Sequence, residues 1–149
     1  MSVLKNKRDV SKVEFINTAF NLYIEVLNFT TRLSARYSRT LGNDTACLAF
    51  QVFENAEKGN AYYPNTPDRI AMRKKHFDAA RASLKALDAS LGICYRVMNL
   101  NPGGCFTDSK GKSISSGEAI KRLDSMAQRL GDMIDKEEAL LVGIIKSLP

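Results

Sequence analysis

The chain has 149 residues, 44% of them apolar, and a formal charge of +6, enough apolar material for one domain with its own core and too much for a disordered tail. No apolar run approaches the ~20 residues that a membrane-spanning helix needs, and the basic residues 1–8 are not followed by an apolar signal-peptide core, so the expectation is a cytoplasmic protein with no membrane partner. Three widely separated cysteines, Cys47, Cys94 and Cys105, argue against a disulfide framework and against a cysteine zinc site.

Residues 1–10 read as a basic arm, and residues 11–149 as a single helical domain. Ser11-Lys12-Val13-Glu14 fits a capping box with Ser11 as N-cap, and Val10 with Phe15 would form its hydrophobic staple. Phe15, Ala19, Leu22, Val26, Phe29 and Leu33 then repeat in steps of four and three, one helical stripe. That pattern predicts a helix to about Arg36. Arg32, Arg36 and Arg39 follow the same spacing, so a continued helix would stack them on one face beside Tyr37, with no acid among them. The stretch is either a docking surface for an anion or a solvated helix corner.

Leu41, Leu48, Val52 and Ala56, with Cys47 and Phe53 beside them, predict a second helix that fades near Gly59-Asn60. Pro64 prevents simple continuation. Thr66-Pro67-Asp68 is a restart, with an N-cap, proline in the first helical position and an acid in the first turn. Ile70, Phe77, Ala80, Leu84, Leu87, Leu91, Cys94 and Met98 make the longest stripe in the chain. Arg69, Arg73, Lys74 and Lys75 crowd its first turns, where cations oppose the helix dipole. That cost hints at a purpose other than helix stability.

Residues 99–114 hold Asn101-Pro102-Gly103-Gly104 and Gly111, which break the period. A small β-hairpin is expected around Cys105-Phe106-Thr107 and Lys112-Ser113-Ile114. Ser115-Ser116-Gly117-Glu118 is a second capping box. It opens a fourth stripe of Ile120, Leu123, Ala127, Leu130, Ile134, Leu141, Ile144 and Leu148, in which Glu137 takes a slot that should be apolar. A wet edge, or a basic partner on another helix, would explain that residue. The fold class expected is all-α, an up-down four-helix bundle with a long loop between its third and fourth helices.

Catalytic constellations are absent from this pattern. His76 is the single histidine, so the paired Glu-x-x-His motif of di-iron bundles cannot be made, and Gly103-Gly104 lacks the Lys-Ser/Thr of a P-loop. No enzyme activity, cofactor or metal is expected. Binding has more support, because guanidinium groups grip phosphate in bidentate fashion and tyrosine stacks on unpaired bases. The candidate nucleic-acid contacts form three clusters: Lys5, Lys7, Arg8 and Lys12; Arg32, Arg36, Tyr37 and Arg39; Arg69, Arg73, Lys74 and Lys75. In an up-down bundle the second cluster lies at one end and the third at the other, near the arm.

Arg36-Tyr37-Ser38-Arg39-Thr40-Leu41-Gly42, Ala56-Glu57-Lys58-Gly59-Asn60 and Ala82-Ser83-Leu84-Lys85-Ala86-Leu87 carry a resemblance. Over about residues 11–98 the chain is similar to the Avd accessory proteins of diversity-generating retroelements and to the bacterial four-helix bundles encoded in ribosomal RNA intervening sequences. The resemblance implies a homopentamer that binds RNA or DNA and associates with a reverse transcriptase. It carries over Arg36, Tyr37, Arg39, Thr40 and Gly42 by motif, with Thr40 and Gly42 as candidate structural positions. The expectation is thus a non-catalytic accessory subunit that helps position template RNA or cDNA. The alternative is an interaction scaffold whose basic faces meet an acidic protein without nucleic acid.

Overall fold

The computed structural model describes residues 13–107 and 110–149. The expected arm, its cations Lys5, Lys7, Arg8 and Lys12, and Ser11 of the first capping box lie outside the described residues. Helices α1 (Glu14–Thr30), α3 (Asn43–Ala61), α4 (Pro67–Met98) and α5 (Ser116–Lys146) are the long elements, with a single turn, α2 (Ala35–Tyr37), between α1 and α3. Among the described residues no helix is long and apolar enough to cross a membrane.

Helix α1 begins later than the capping box predicts. Its N-cap is Val13, in extended backbone and with no side-chain oxygen to offer. The stripe Phe15, Ala19, Leu22, Val26 and Phe29 is buried as its spacing requires. The helix also ends early, at Thr30. There the Arg32 and Leu33 amides turn back to the Phe29 and Thr30 carbonyls at 3.0 and 3.1 Å. The hydroxyls of Thr30 and Thr31 bond the Leu27 and Asn28 carbonyls. Paired threonines that compete for the last carbonyls favour a stop over propagation. Arg32 therefore sits in a turn, off the helical face that holds Arg36 and Arg39.

From Ala35 to Ala61 the backbone is one helical run, with a π-helical turn at Ser38–Gly42 joining α2 to α3. A π turn takes in an extra residue and so shifts the phase of the helix beyond it. The buried row is Gly42, Thr45, Ala49, Val52, Ala56 and Gly59, while Leu41 and Leu48 are only half-buried and Cys47 is exposed. Thr45 is fully buried. Its hydroxyl bonds the Leu41 carbonyl at 2.7 Å and lies 2.6 Å from the Ser90 hydroxyl, tying α3 to α4.

Helix α4 starts as expected, with the Thr66 hydroxyl accepting from the Arg69 amide at 3.2 Å and proline in its first turn. Phe77, Ala80, Leu84, Leu87, Leu91, Cys94 and Met98 are buried. Among the described residues, the hairpin expected in the following loop is one antiparallel bridge, Thr107 to Ser113, with Gly111 at φ +78°. At α5 the Ser115 hydroxyl accepts from the Glu118 amide, but the Glu118 carboxylate turns to Arg122 at 2.8 Å instead of completing the box.

Helix α1 packs on α3 and α5, and α4 packs on the same two. One end of the molecule gathers the end of α1, the π turn, the end of α4 and the start of α5. The other gathers the start of α1, where Phe15 meets Phe77 edge-on at 5.3 Å, with the end of α3 and of α5. Glu137 is not at a wet edge, and it is unpaired among the described residues. It is 0% exposed, and neither carboxylate oxygen has a hydrogen-bond partner among the described residues.

Candidate functional site

At the first end, Arg32 leaves the turn after α1 half-buried and lays its guanidinium 4.7 Å from the centre of the Phe106 ring. Its Nε is buried without a hydrogen-bond acceptor among the described residues, a cost of roughly 1–3 kcal/mol that the ring contact offsets in part. Phe106 reaches this place because the 3-10 turn Pro102–Cys105 and the Thr107–Ser113 bridge fold the loop under the helices. The ring is only 5% exposed. Arg122, from the second turn of α5, stands 5.6 Å from the same ring.

Arg32, Phe106, Lys121 and Arg122 line an open basin of about 690 Å³, with Glu118 as its single carboxylate among the described residues. The Glu118–Arg122 pair is half exposed on both sides and is worth little in water. Beyond Arg32 a second cleft of about 290 Å³ is lined by Ser34, Tyr37, Asn101 and Cys105, among others. Tyr37 is 37% exposed, with the Arg36 guanidinium 6.0 Å from its ring. Arg36 and Arg39 are exposed. The ion pairs among the described residues join Lys58 to Glu54, Arg81 to Glu138, Arg122 to Glu118, Arg129 to Glu25 and Lys136 to Glu14. None of them involves Arg32, Arg36 or Arg39. The Thr40 hydroxyl bonds the Tyr37 carbonyl at 3.5 Å, and Gly42 lies close under Leu33 and Thr30, both structural positions.

At the opposite end Arg73 departs from its expected role. Its Nη1 donates to the carbonyls of Gly59, Asn60 and Tyr62 at 3.2, 3.4 and 3.1 Å, and its guanidinium lies 4.9 Å from the Phe77 ring. Burial holds its pKa below the ordinary arginine value. It acts as a C-terminal cap for α3. Its unfavourable place on the α4 dipole has a compensation next door, because the carbonyl end of α3 lies beside it and welcomes a cation. Arg69, Lys74 and Lys75 are outside those ion pairs and all three are exposed, so the third cluster keeps three of its four cations at the surface.

His76 and Cys105 make contacts within the fold. His76 Nδ1 lies 3.3 Å from Asn55 Oδ1, and its ring stacks on Tyr62 at 5.7 Å. Burial raises the Cys105 thiol against the opposing pull of Arg32, which disfavours the nucleophilic thiolate. Among the described residues no three His, Cys, Asp or Glu side chains gather as for a metal.

The sequence reading missed Phe106, Lys121 and Arg122. Lys121-Arg122 carries the same signal that drew attention to α4, cations in the early turns of a helix. Phe106 had none, because a loop aromatic has no period. No known protein family, curated protein or solved structure matches the chain.

Proposed function

We propose that the protein is a non-catalytic nucleic-acid-binding accessory subunit. The observation that carries this reading is the end of the molecule that holds Arg32, Tyr37 and exposed Arg36, Arg39 and Lys121, with Glu118 the lone acid of the basin among the described residues. Cations held on rigid helices and poor in nearby carboxylates suit a polyphosphate. The resemblance to Avd-type proteins supports the finer terms: an up-down four-helix bundle, a homopentamer, and association with a retroelement reverse transcriptase whose template RNA or cDNA it helps to position. The cyclic contacts of α1, α3, α4 and α5 favour the bundle. Self-association is favoured by an outer face where Ile24, Leu27 and Phe50 are 48%, 37% and 43% exposed.

Titration with labelled RNA and DNA at rising salt tests the proposal. Affinity should fall steeply and linearly on logarithmic axes. Folded protein that binds no nucleic acid at low salt would end it. The same exposed cations suit a second reading, a scaffold whose basic faces meet an acidic protein partner without nucleic acid. Charge reversal at Arg36 and Arg39 separates the two: loss of a nuclease-insensitive protein contact with RNA retention unchanged would select the scaffold.

A further inference from the structure

We propose that the basin and the cleft on either side of Arg32 form one seat for single-stranded nucleic acid. Backbone phosphates lie over Arg32, Lys121 and Arg122, and an unpaired base lies against Tyr37. This rests on the nucleic-acid reading above and narrows it to one end of the molecule and one strand state.

Three observations converge on it. First, Arg32 is fixed by an aromatic ring rather than by a carboxylate. Its guanidinium lies over Phe106 with a buried Nε that no acceptor meets among the described residues, and none of the ion pairs given above involves it. A cation held this way keeps its charge available for an outside anion, and Arg presents a planar fork to phosphate. Second, the basin brings in Arg122 and Lys121 from α5, a helix whose sequence is otherwise acid-rich. Phe106 is shared between Arg32 and Arg122, so cations from distant parts of the chain meet on one buried ring. Third, the concavity continues past Arg32 into a cleft whose lining includes Tyr37, an exposed aromatic at this end, with Ser34 and Asn101 as hydrogen-bonding groups.

Phosphate contacts on one side and an aromatic face on the other are the two parts of a single-strand site. A duplex keeps its bases stacked inside and has none to offer to Tyr37. The Glu118 carboxylate belongs to the basin as well, and its pairing with Arg122 leaves Lys121 and Arg32 as the basin cations outside any ion pair among the described residues.

Fluorescence anisotropy on the full chain, with labelled single-stranded and duplex oligonucleotides of equal length at low salt, tests the proposal. Arg122→Gln and Lys121→Gln change exposed side chains. Each should weaken single-strand binding by about tenfold and lower the salt slope by roughly 0.7 for each phosphate that is no longer neutralised. Tyr37→Leu should weaken the single strand about tenfold while leaving the salt slope and duplex binding unchanged. Arg69→Gln, Lys74→Gln and Lys75→Gln at the opposite end should each change affinity by less than about twofold. If the opposite-end variants carry the loss, or Tyr37→Leu affects both strand states equally or neither, this seat is wrong while nucleic-acid binding stands. Failure of the unmodified protein to bind any oligonucleotide would instead remove the wider reading, and an acidic protein would become the ligand of this end.

Discussion

Glu137 shows at the scale of one residue what the fold tolerates. Its carboxylate is sealed in the core without a hydrogen-bond donor among the described residues. Burial pushes its pKa up to about 8, partly opposed by Lys136 and reinforced by Glu14. A carboxyl raised in the folded state binds its proton more tightly there than in the unfolded chain, where 4.5 is the ordinary value. Stability is therefore fullest below that value, falls as pH rises, and is lowest above the folded pKa. At pH 7 the loss amounts to about 3 kcal/mol. Urea midpoints should drop between pH 5 and pH 8, and Glu137→Gln should flatten that dependence. Glu137→Leu should raise stability at pH 8, since an apolar side chain of similar size removes an unpaired buried charge. Parallel pH slopes in the parent and Glu137→Gln would show that another group governs them. Arg73 makes the complementary case. Its loss in Arg73→Met should cost about 1–3 kcal/mol through the uncapped carbonyls of α3, with nucleic-acid affinity held within about twofold. A large affinity loss at unchanged thermal stability would return Arg73 to the binding surface.

At the scale of elements, the stripes of α1 and α4 were legible because an uninterrupted 3.6-residue period reports a buried face directly. Phe15 to Phe29 and Phe77 to Met98 are inside for that reason. The start of α3 was not legible. A π turn is a one-residue insertion, and Leu41 and Leu48 fit the unshifted period well enough to hide it. The candidate site was half legible on the same grounds. Arg36, Tyr37 and Arg39 lie on a helical run, whereas Arg32 and Phe106 depend on a turn and a loop whose packing no period encodes. Glycines also divide by element contact rather than by helix propensity. A Cβ at Gly59 would lie 2.5 Å from the fully buried Phe77 ring, and one at Gly143 would meet nothing within 4 Å. Gly59→Ala should thus destabilise by about 1–3 kcal/mol through overpacking. Gly143→Ala should stabilise by roughly 0.4–1 kcal/mol. Equal effects in paired urea titrations would mean that the α3–α4 contact can relax around an added methyl.

The molecule as a whole leaves one face unexplained by its own core. Outside its buried stripe, α1 carries Phe20, Tyr23, Ile24 and Leu27, a second row at helical spacing. Phe20 meets Phe53 at 5.9 Å, Tyr23 meets Phe50 at 5.7 Å, and Phe50 meets Phe53 at 6.4 Å. An exposed aromatic-rich surface has the composition of interface centres. If copies of the chain associate through it, the mass in solution at micromolar concentration should be several times the 16.5 kDa of one chain. Ile24→Glu combined with Phe50→Glu should then give a folded monomer, because both side chains are about half exposed and contribute little to the core. Helical circular dichroism would confirm that the fold is intact. The functional consequence separates assembly from direct contact. Short oligonucleotides that fill one seat should bind the monomer and the assembly alike, whereas long RNA should bind the assembly more tightly by about 10²-fold or more through effective concentration. A parent protein that sediments as a monomer would assign this face to a different partner. Equal affinity of the two forms for long RNA would show that each chain acts alone.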